Sequence, residues 1–180
     1  MTKVVIILAD GFEELEAVTV IDVLRRAGIE IVSAGLHEGP VSSARQIKII
    51  PDTVIDTISS DDFDMLVLPG GMPGSANLNA DSRVKDLIRD FNAKGKMMGA
   101  ICAAPYVLAD AGILNGKRAT SYPSFKDKLG SAIYEEKTVV EDDNILTSRG
   151  PGTALSFALA IAEKLTGKEK AQQIKEAMLI

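Results

Sequence analysis

The chain predicts an α/β fold: a doubly wound, mostly parallel sheet with helices on both faces and a small antiparallel edge excursion. Three observations lead there. Apolar runs of strand length alternate with stretches of helical spacing. The runs at residues 4–8, 65–68 and 97–101 are continuous, as strands buried on both faces must be. Gly28 and Gly167 close helical stretches where a left-handed cap is needed.

Each element follows in order. Residues 4–8 form the first strand, and residues 13–27 a helix ended by Gly28. Residues 30–34 are the second strand. Residues 36–60 break the alternation: Gly39-Pro40 is a turn, residues 47–50 a short strand and Pro51-Asp52 another stop. This stretch is the expected antiparallel excursion on the sheet edge. A strand at 65–68 ends in Pro69-Gly70-Gly71, and Val84, Leu87, Ile88 and Phe91 then mark one face of a helix. The strand at 97–101 runs straight into Cys102. Residues 103–111 read as helix with Pro105 in its first turn. Short strands are expected at 118–121, 138–141 and 145–147. Thr153 stands as N-cap of a helix reaching Leu165, and a last amphipathic helix fills 168–178. Neither repeat nor linker is visible, so one domain over 1–180 is expected.

Composition narrows the function classes. The 180 residues are 46% hydrophobic and 25% charged, which is globular rather than disordered. A net charge of -5 argues against a nucleic-acid partner, and 4% aromatics without Trp supply no stacking platform. The apolar run at 4–9 is too short for a secretory signal or a membrane span, so no membrane contact is expected and a reducing, cytoplasmic setting is the default. One Cys and one His make neither a disulfide nor a zinc cage, so no metal is expected.

In open α/β sheets ligands bind at the carboxyl ends of strands, which selects the loops 9–16, 69–75, 102–104, 121–125 and 148–153. Cys102 lies in one of them. In Gly99-Ala100-Ile101-Cys102-Ala103-Ala104-Pro105 a thiol stands at the turn from buried strand to helix, the layout of a nucleophile elbow. The helix N-terminus is expected to favour the thiolate and lower its pKa. Elsewhere a lone Cys is commonly a small buried hydrophobe, and the junction argues against that here.

Glu16 is the second candidate. At 100° per residue it falls among Ala17, Val20, Ile21, Val23, Leu24 and Ala27 on the apolar stripe of the first helix. Glu14 falls with Asp22 and Arg25 on the polar side, where dipole complementarity explains it. A carboxyl facing the sheet needs a partner, and burial should raise its pKa. Gly70-Gly71 allows backbone N–H groups to approach a ligand, or is a plain tight turn. Arg149-Gly150-Pro151-Gly152-Thr153 is a second backbone-rich corner, or simply a helix start. No nucleotide-binding glycine motif is present. His37 reads as a surface histidine away from the strand end carrying Cys102, so Cys102 has no evident histidine partner.

The segments Leu8-Ala9-Asp10-Gly11-Phe12-Glu13-Glu14-Leu15-Glu16, Leu68-Pro69-Gly70-Gly71, Ala100-Ile101-Cys102-Ala103-Ala104-Pro105 and Thr147-Ser148-Arg149-Gly150-Pro151-Gly152-Thr153 resemble the ThiJ/PfpI superfamily, and more narrowly its branch containing the Parkinsonism-associated protein deglycase. The resemblance runs nearly end to end. It implies a flavodoxin-like sandwich, a homodimer, a reactive Cys102, a protonated Glu16 touching its sulfur, and an oxyanion position at the Gly71 and Ala103 N–H groups. Glu13, Arg26, Arg45 and Arg149 match residues lining that family's pocket or its dimer-side rim, where Tyr122, Gly150 and Pro151 also belong. The implied activities are glyoxalase III chemistry, which turns a 2-oxoaldehyde such as methylglyoxal or glyoxal into a 2-hydroxy acid without cofactor, and deglycation. Peroxide sensing through Cys102 oxidation and stress-protective chaperoning are the non-enzymatic alternatives. Ala103 stands where protease-like members carry His, which argues against a peptidase. Tyr122 stands where the deglycase branch often has His; it can hydrogen-bond a carbonyl but is a poor base near neutral pH.

Overall fold

A computed structural model describes residues 2–180. The first half runs β1 (Lys3–Leu8), α1 (Glu14–Arg26), β2 (Glu30–Gly35), β3 (Val41–Ser42), β4 (Lys48–Ile49), β5 (Thr53–Val54), β6 (Met65–Leu68), α2 (Gly74–Ala80) and α3 (Ser82–Ala93). The second runs β7 (Met97–Ile101), α4 (Pro105–Asp110), β8 (Arg118–Ala119), β9 (Ile133–Tyr134), β10 (Val139–Asp142), β11 (Ile145–Ser148), α5 (Ala154–Thr166) and α6 (Lys168–Ala177).

Seven strands form the central sheet in the order β10-β11-β7-β6-β1-β2-β5. Every neighbour pair is parallel except β10 with β11. The expected doubly wound, flavodoxin-like class is therefore the observed one. β1 shows why its apolar run is unbroken. Val4, Ile6 and Leu8 pack with α1, α5 and α6 on one face, while Val5 and Ile7 pack with residues of α2, α3 and α4 on the other.

The chain winds outward from β1 through β2 to β5, then returns to β6 and continues through β7 to β11. The order reverses between β1 and β6. That switch point opens a crevice beyond the carboxyl ends of these strands.

Several local expectations are corrected. The 36–60 excursion does contain an antiparallel pair, β3 with β4, but it is a separate two-stranded sheet. It folds over the loop after β1: Gly11 N–H donates to Ser42 O at 2.7 Å, Ala44 N–H to Phe12 O at 2.8 Å, and the Asp10 carboxylate accepts from Ser42 N–H at 2.8 Å. The edge itself is taken by β5, parallel to β2, because Asp52 ties it there by accepting from both Ser33 N–H and Ser33 Oγ. α2 was not expected, since Gly74, Asn77 and Asn79 are poor helix formers. Close approach explains Gly74, where a Cβ would stand 2.6 Å from the Phe12 amide nitrogen. Residues 103 and 104 are turn, and α4 starts only at Pro105. Thr153 does precede α5, but its hydroxyl meets Ser148 Oγ at 2.7 Å and accepts from Gly150 N–H at 3.0 Å instead of capping the helix. Among the described residues, no helix is long and apolar enough to cross a membrane.

Candidate active site

Three segments meet at the switch point. α1 brings Glu16, the loop after β6 brings Gly70 and Gly71, and the turn after β7 brings Cys102. Cys102 adopts a left-handed φ of 64°, which few non-glycine residues do. Its backbone is pinned on both sides: Cys102 N–H donates to Ser148 O at 3.0 Å, and Cys102 O accepts from Tyr122 N–H at 2.8 Å. Cys102 thus stands in a tight turn between β7 and α4, and the residue retains 9% exposure.

Glu16 has no exposure at all. Its Oε2 accepts from Gly70 N–H at 2.7 Å, and the carboxyl lies against the Cys102 thiol. Oε1 is buried without a well-formed hydrogen bond of its own. Glu13 holds the helix start by accepting from Glu16 N–H at 2.9 Å, and its own N–H donates to Gly70 O at 2.9 Å. The glycine pair is required by proximity. A Cβ on Gly70 would stand 2.5 Å from Cys102 Cβ and 2.7 Å from Glu16 Oε2. Gly71 has φ of 90°, and a Cβ there would stand 2.4 Å from the Glu13 nitrogen.

Burial pushes the Glu16 carboxyl up to about 7, against the opposing hydrogen bond from Gly70. The expected low thiol pKa is overturned. Burial first, then the charge of Glu16 and the hydrogen bond to it, push Cys102 up to about 12. The backbone N–H groups of Gly71 and Ala103 do act in the expected direction, but they are outweighed. Two adjacent buried groups cannot both carry negative charge at low cost. When Glu16 holds the proton, its repulsion disappears and its O–H can donate to the sulfur. The single negative charge can then reside on sulfur, facing Gly71 and Ala103.

Cys102 forms the base of a cavity of about 150 Å³ walled by Met72, Tyr122, Ser124 and Phe125. Met72, Ser124 and Phe125 escaped the sequence reading although they lie in or beside the selected loops; their residue types carry no reactive signature. A larger cavity of about 460 Å³ lies between the Ile55–Ser60 segment and α3 and is lined by neither Cys nor His.

The remaining candidates separate. Arg149 pairs with Glu136 at 3.1 Å and lines a neighbouring cavity of about 230 Å³ with Gly150 and Pro151. Tyr122 borders both cavities. Arg26 does not join the pocket. It pairs with Asp22 at 2.7 Å in the last turn of α1, at the opposite end of the sheet from Cys102. Arg45 is exposed in the turn between β3 and β4 and is not among the cavity walls. Glu14 is corrected from polar face to buried, with its Oε2 unpartnered. His37 is corrected too: β2 is parallel to β1, so His37 sits at the same end of the sheet as Cys102. It is held by Asp10 at 3.0 Å, and β2 lies three strands from β7. Among the described residues, no group of three or more His, Cys, Asp or Glu side chains could hold a metal ion.

Comparison with known proteins places this geometry. The DJ-1/PfpI family model matches residues 2–164. Protein dj-1beta of Drosophila melanogaster is 49% identical over 178 residues, 97% of this chain and 95% of that protein. A crystal structure of Drosophila melanogaster DJ-1beta has a TM-score of 0.94 and 49% identity, covering 99% of this chain and 98% of that one. The glutathione-independent glyoxalase DJR-1.2 of Caenorhabditis elegans is 35% identical over 181 residues, 99% of this chain and 96% of that protein. Alike in sequence and in fold over nearly its whole length, the chain belongs to the DJ-1/PfpI family.

Proposed function

We propose that the protein is a cysteine-dependent enzyme that converts small 2-oxoaldehydes such as methylglyoxal or glyoxal into 2-hydroxy acids without cofactor. The observation that carries this reading is the contact between Cys102 and the buried Glu16 at the base of a small cavity. A relative named as a glutathione-independent glyoxalase supports the same direction.

Each step uses a group of the chain. The Cys102 sulfur adds to the aldehyde carbon, and the new C–S bond pushes the carbonyl electrons onto oxygen. The Gly71 and Ala103 N–H groups receive that oxyanion, and Glu16 supplies its proton, giving a hemithioacetal. Glu16, now a carboxylate, takes the hydrogen from the former aldehyde carbon as a proton and returns it to the neighbouring carbon. The C–H electron pair becomes the double bond of an enediolate, the hydroxyl proton on the first carbon passes to the oxygen on the second, and reprotonation of the second carbon leaves a thioester beside an alcohol. Water then splits the thioester, releasing the hydroxy acid and regenerating the thiol. A carboxyl that titrates near neutrality suits both halves of that transfer.

The test is lactate formation from methylglyoxal. Purified wild-type protein is expected to produce lactate, Cys102→Ala to lose the activity, and Glu16→Gln to lose about 10²–10⁴-fold. Equal rates in wild type and Cys102→Ala would refute the reading.

A redox-sensing role is the second reading. The same two N–H groups facing the sulfur, with a protonated Glu16 beside them, suit the oxygens of a cysteine sulfinate. Peroxide treatment followed by intact mass should then add two oxygens, lost in Cys102→Ala. The one histidine, His37, is hydrogen-bonded to Asp10 and is not among the residues lining the Cys102 cavity. A homodimer is part of the proposal, supported by exposed apolar residues on α1.

A further inference from the structure

The cavity over Cys102 and the cavity over Arg149 have one lining residue in common, Tyr122. The first holds about 150 Å³ and the second about 230 Å³. Pockets for drug-sized ligands run about 300–1,000 Å³, so the thiol cavity alone is small. We propose that the Tyr122 ring is a partition between them. It restricts Cys102 to free two- and three-carbon aldehydes and shuts out aryl or sugar-bearing ones. This deepens the aldehyde reading and rests on it for the identity of the substrate.

Three features set the ring where a partition must stand. Tyr122 N–H donates to the carbonyl of Cys102 itself, so the position of residue 122 is referenced to the nucleophile. Gly150 stands close to the ring; a Cβ there would be 3.3 Å from Tyr122 Cδ2 and 3.8 Å from Cε2. A bare backbone thus forms the far wall, which leaves room for the ring between the two cavities. Phe125 is the fixed opposite wall. Its ring meets Tyr106 at 5.5 Å between centroids, and the Lys128 ammonium stands 4.7 Å over its face. Tyr122 itself is 46% exposed, so truncating it leaves the core untouched.

The partition acts through the ring and not through the hydroxyl, which separates two variants. Tyr122→Phe keeps the wall; Tyr122→Ala joins the two cavities. The first measurement is the rate of Cys102 alkylation by N-phenylmaleimide divided by the rate with iodoacetamide. Within each reagent pair the thiolate fraction is the same, so changes in this ratio between variants follow access. Tyr122→Ala is expected to raise the ratio at least about tenfold, the scale on which apolar pockets discriminate size, while Tyr122→Phe retains the wild-type value. The second measurement is kcat/KM for phenylglyoxal over methylglyoxal, expected to rise in Tyr122→Ala in parallel. A labelling ratio unchanged in Tyr122→Ala overturns the partition. Absence of methylglyoxal turnover in wild type overturns the aldehyde reading and the substrate restriction with it, and the labelling ratio still decides the partition.

Discussion

Glu16 is a carboxyl without solvent, and its charge has few ways to be compensated. One backbone N–H, from Gly70, offsets burial only in part, so the group titrates near 7 instead of 4.5. The raised value is also a statement about folding. A carboxyl whose pKa is higher folded than unfolded binds more protons in the native state, so its contribution is fully present below 4.5 and is lost as pH rises through about 7. That shift corresponds to about 3 kcal/mol. Glu16→Gln has nothing to titrate there. Wild type is therefore expected to lose stability relative to Glu16→Gln across this window, read as urea midpoints at matched pH. A difference that stays flat would mean that Glu16 has its ordinary pKa. The placement of Glu16 was legible because helical spacing alone puts it on the apolar stripe. Its neighbour Glu14 was misplaced by the same rule. A helical wheel counts burial against one partner, whereas the start of α1 is also tied to the loop after β6, and the loop just before it to the β3–β4 pair. The thiol pKa was misjudged for a related reason: dipoles follow from local sequence, but burial and the facing carboxyl come from distant segments.

At the scale of elements, the turn from β7 to α4 holds Cys102 in a conformation that costs energy. Cys102 sits at φ of 64°, with Ala104 N–H donating to Ile101 O at 3.0 Å to close the turn. Left-handed backbone costs an L-residue about 1–2 kcal/mol and costs glycine almost nothing. Two variants that both lack the sulfur isolate this cost. Cys102→Gly is expected to be more stable than Cys102→Ala by about 1 kcal/mol, the reverse of the order inside a helix or strand, measured by urea denaturation. Equal stability, or Ala ahead, would mean that the turn relaxes when the side chain is gone. Such strain fits a reactive residue that its surroundings hold in place. The junction was legible from Gly99 through Pro105 because a buried strand met helix-forming residues with one reactive side chain between them. The β3–β4 pair and α2 were not legible. They are set by contacts with residues 10–13, which no local pattern records.

The whole molecule was the most legible level, since continuous apolar runs alternating with helices admit few arrangements other than a parallel sheet covered on both faces. The strand order was not written there. It decides which loops meet: the reversal between β1 and β6 brings Glu16 and Gly70 together, while Arg26, although on the same helix as Glu16, is carried to the opposite end. The outer face of α1 raises the remaining question. Leu15 is 61% exposed and Val18 is 47% exposed, one turn apart on the same side of a helix whose other side is in the core. Each Å² of apolar surface removed from water contributes about 25 cal/mol, so covering this face by a second copy is favourable. A charge placed there must be desolvated or leave the interface unformed. Light scattering is therefore expected to give twice the chain mass for wild type and the single-chain mass for a Leu15→Glu, Val18→Glu double variant. Both substitutions lie on solvent-facing positions, so the variant should keep its circular dichroism spectrum and its Cys102 alkylation rate. A wild type that scatters as a single chain would remove the dimer, and a double variant that remains dimeric would move the interface to another face.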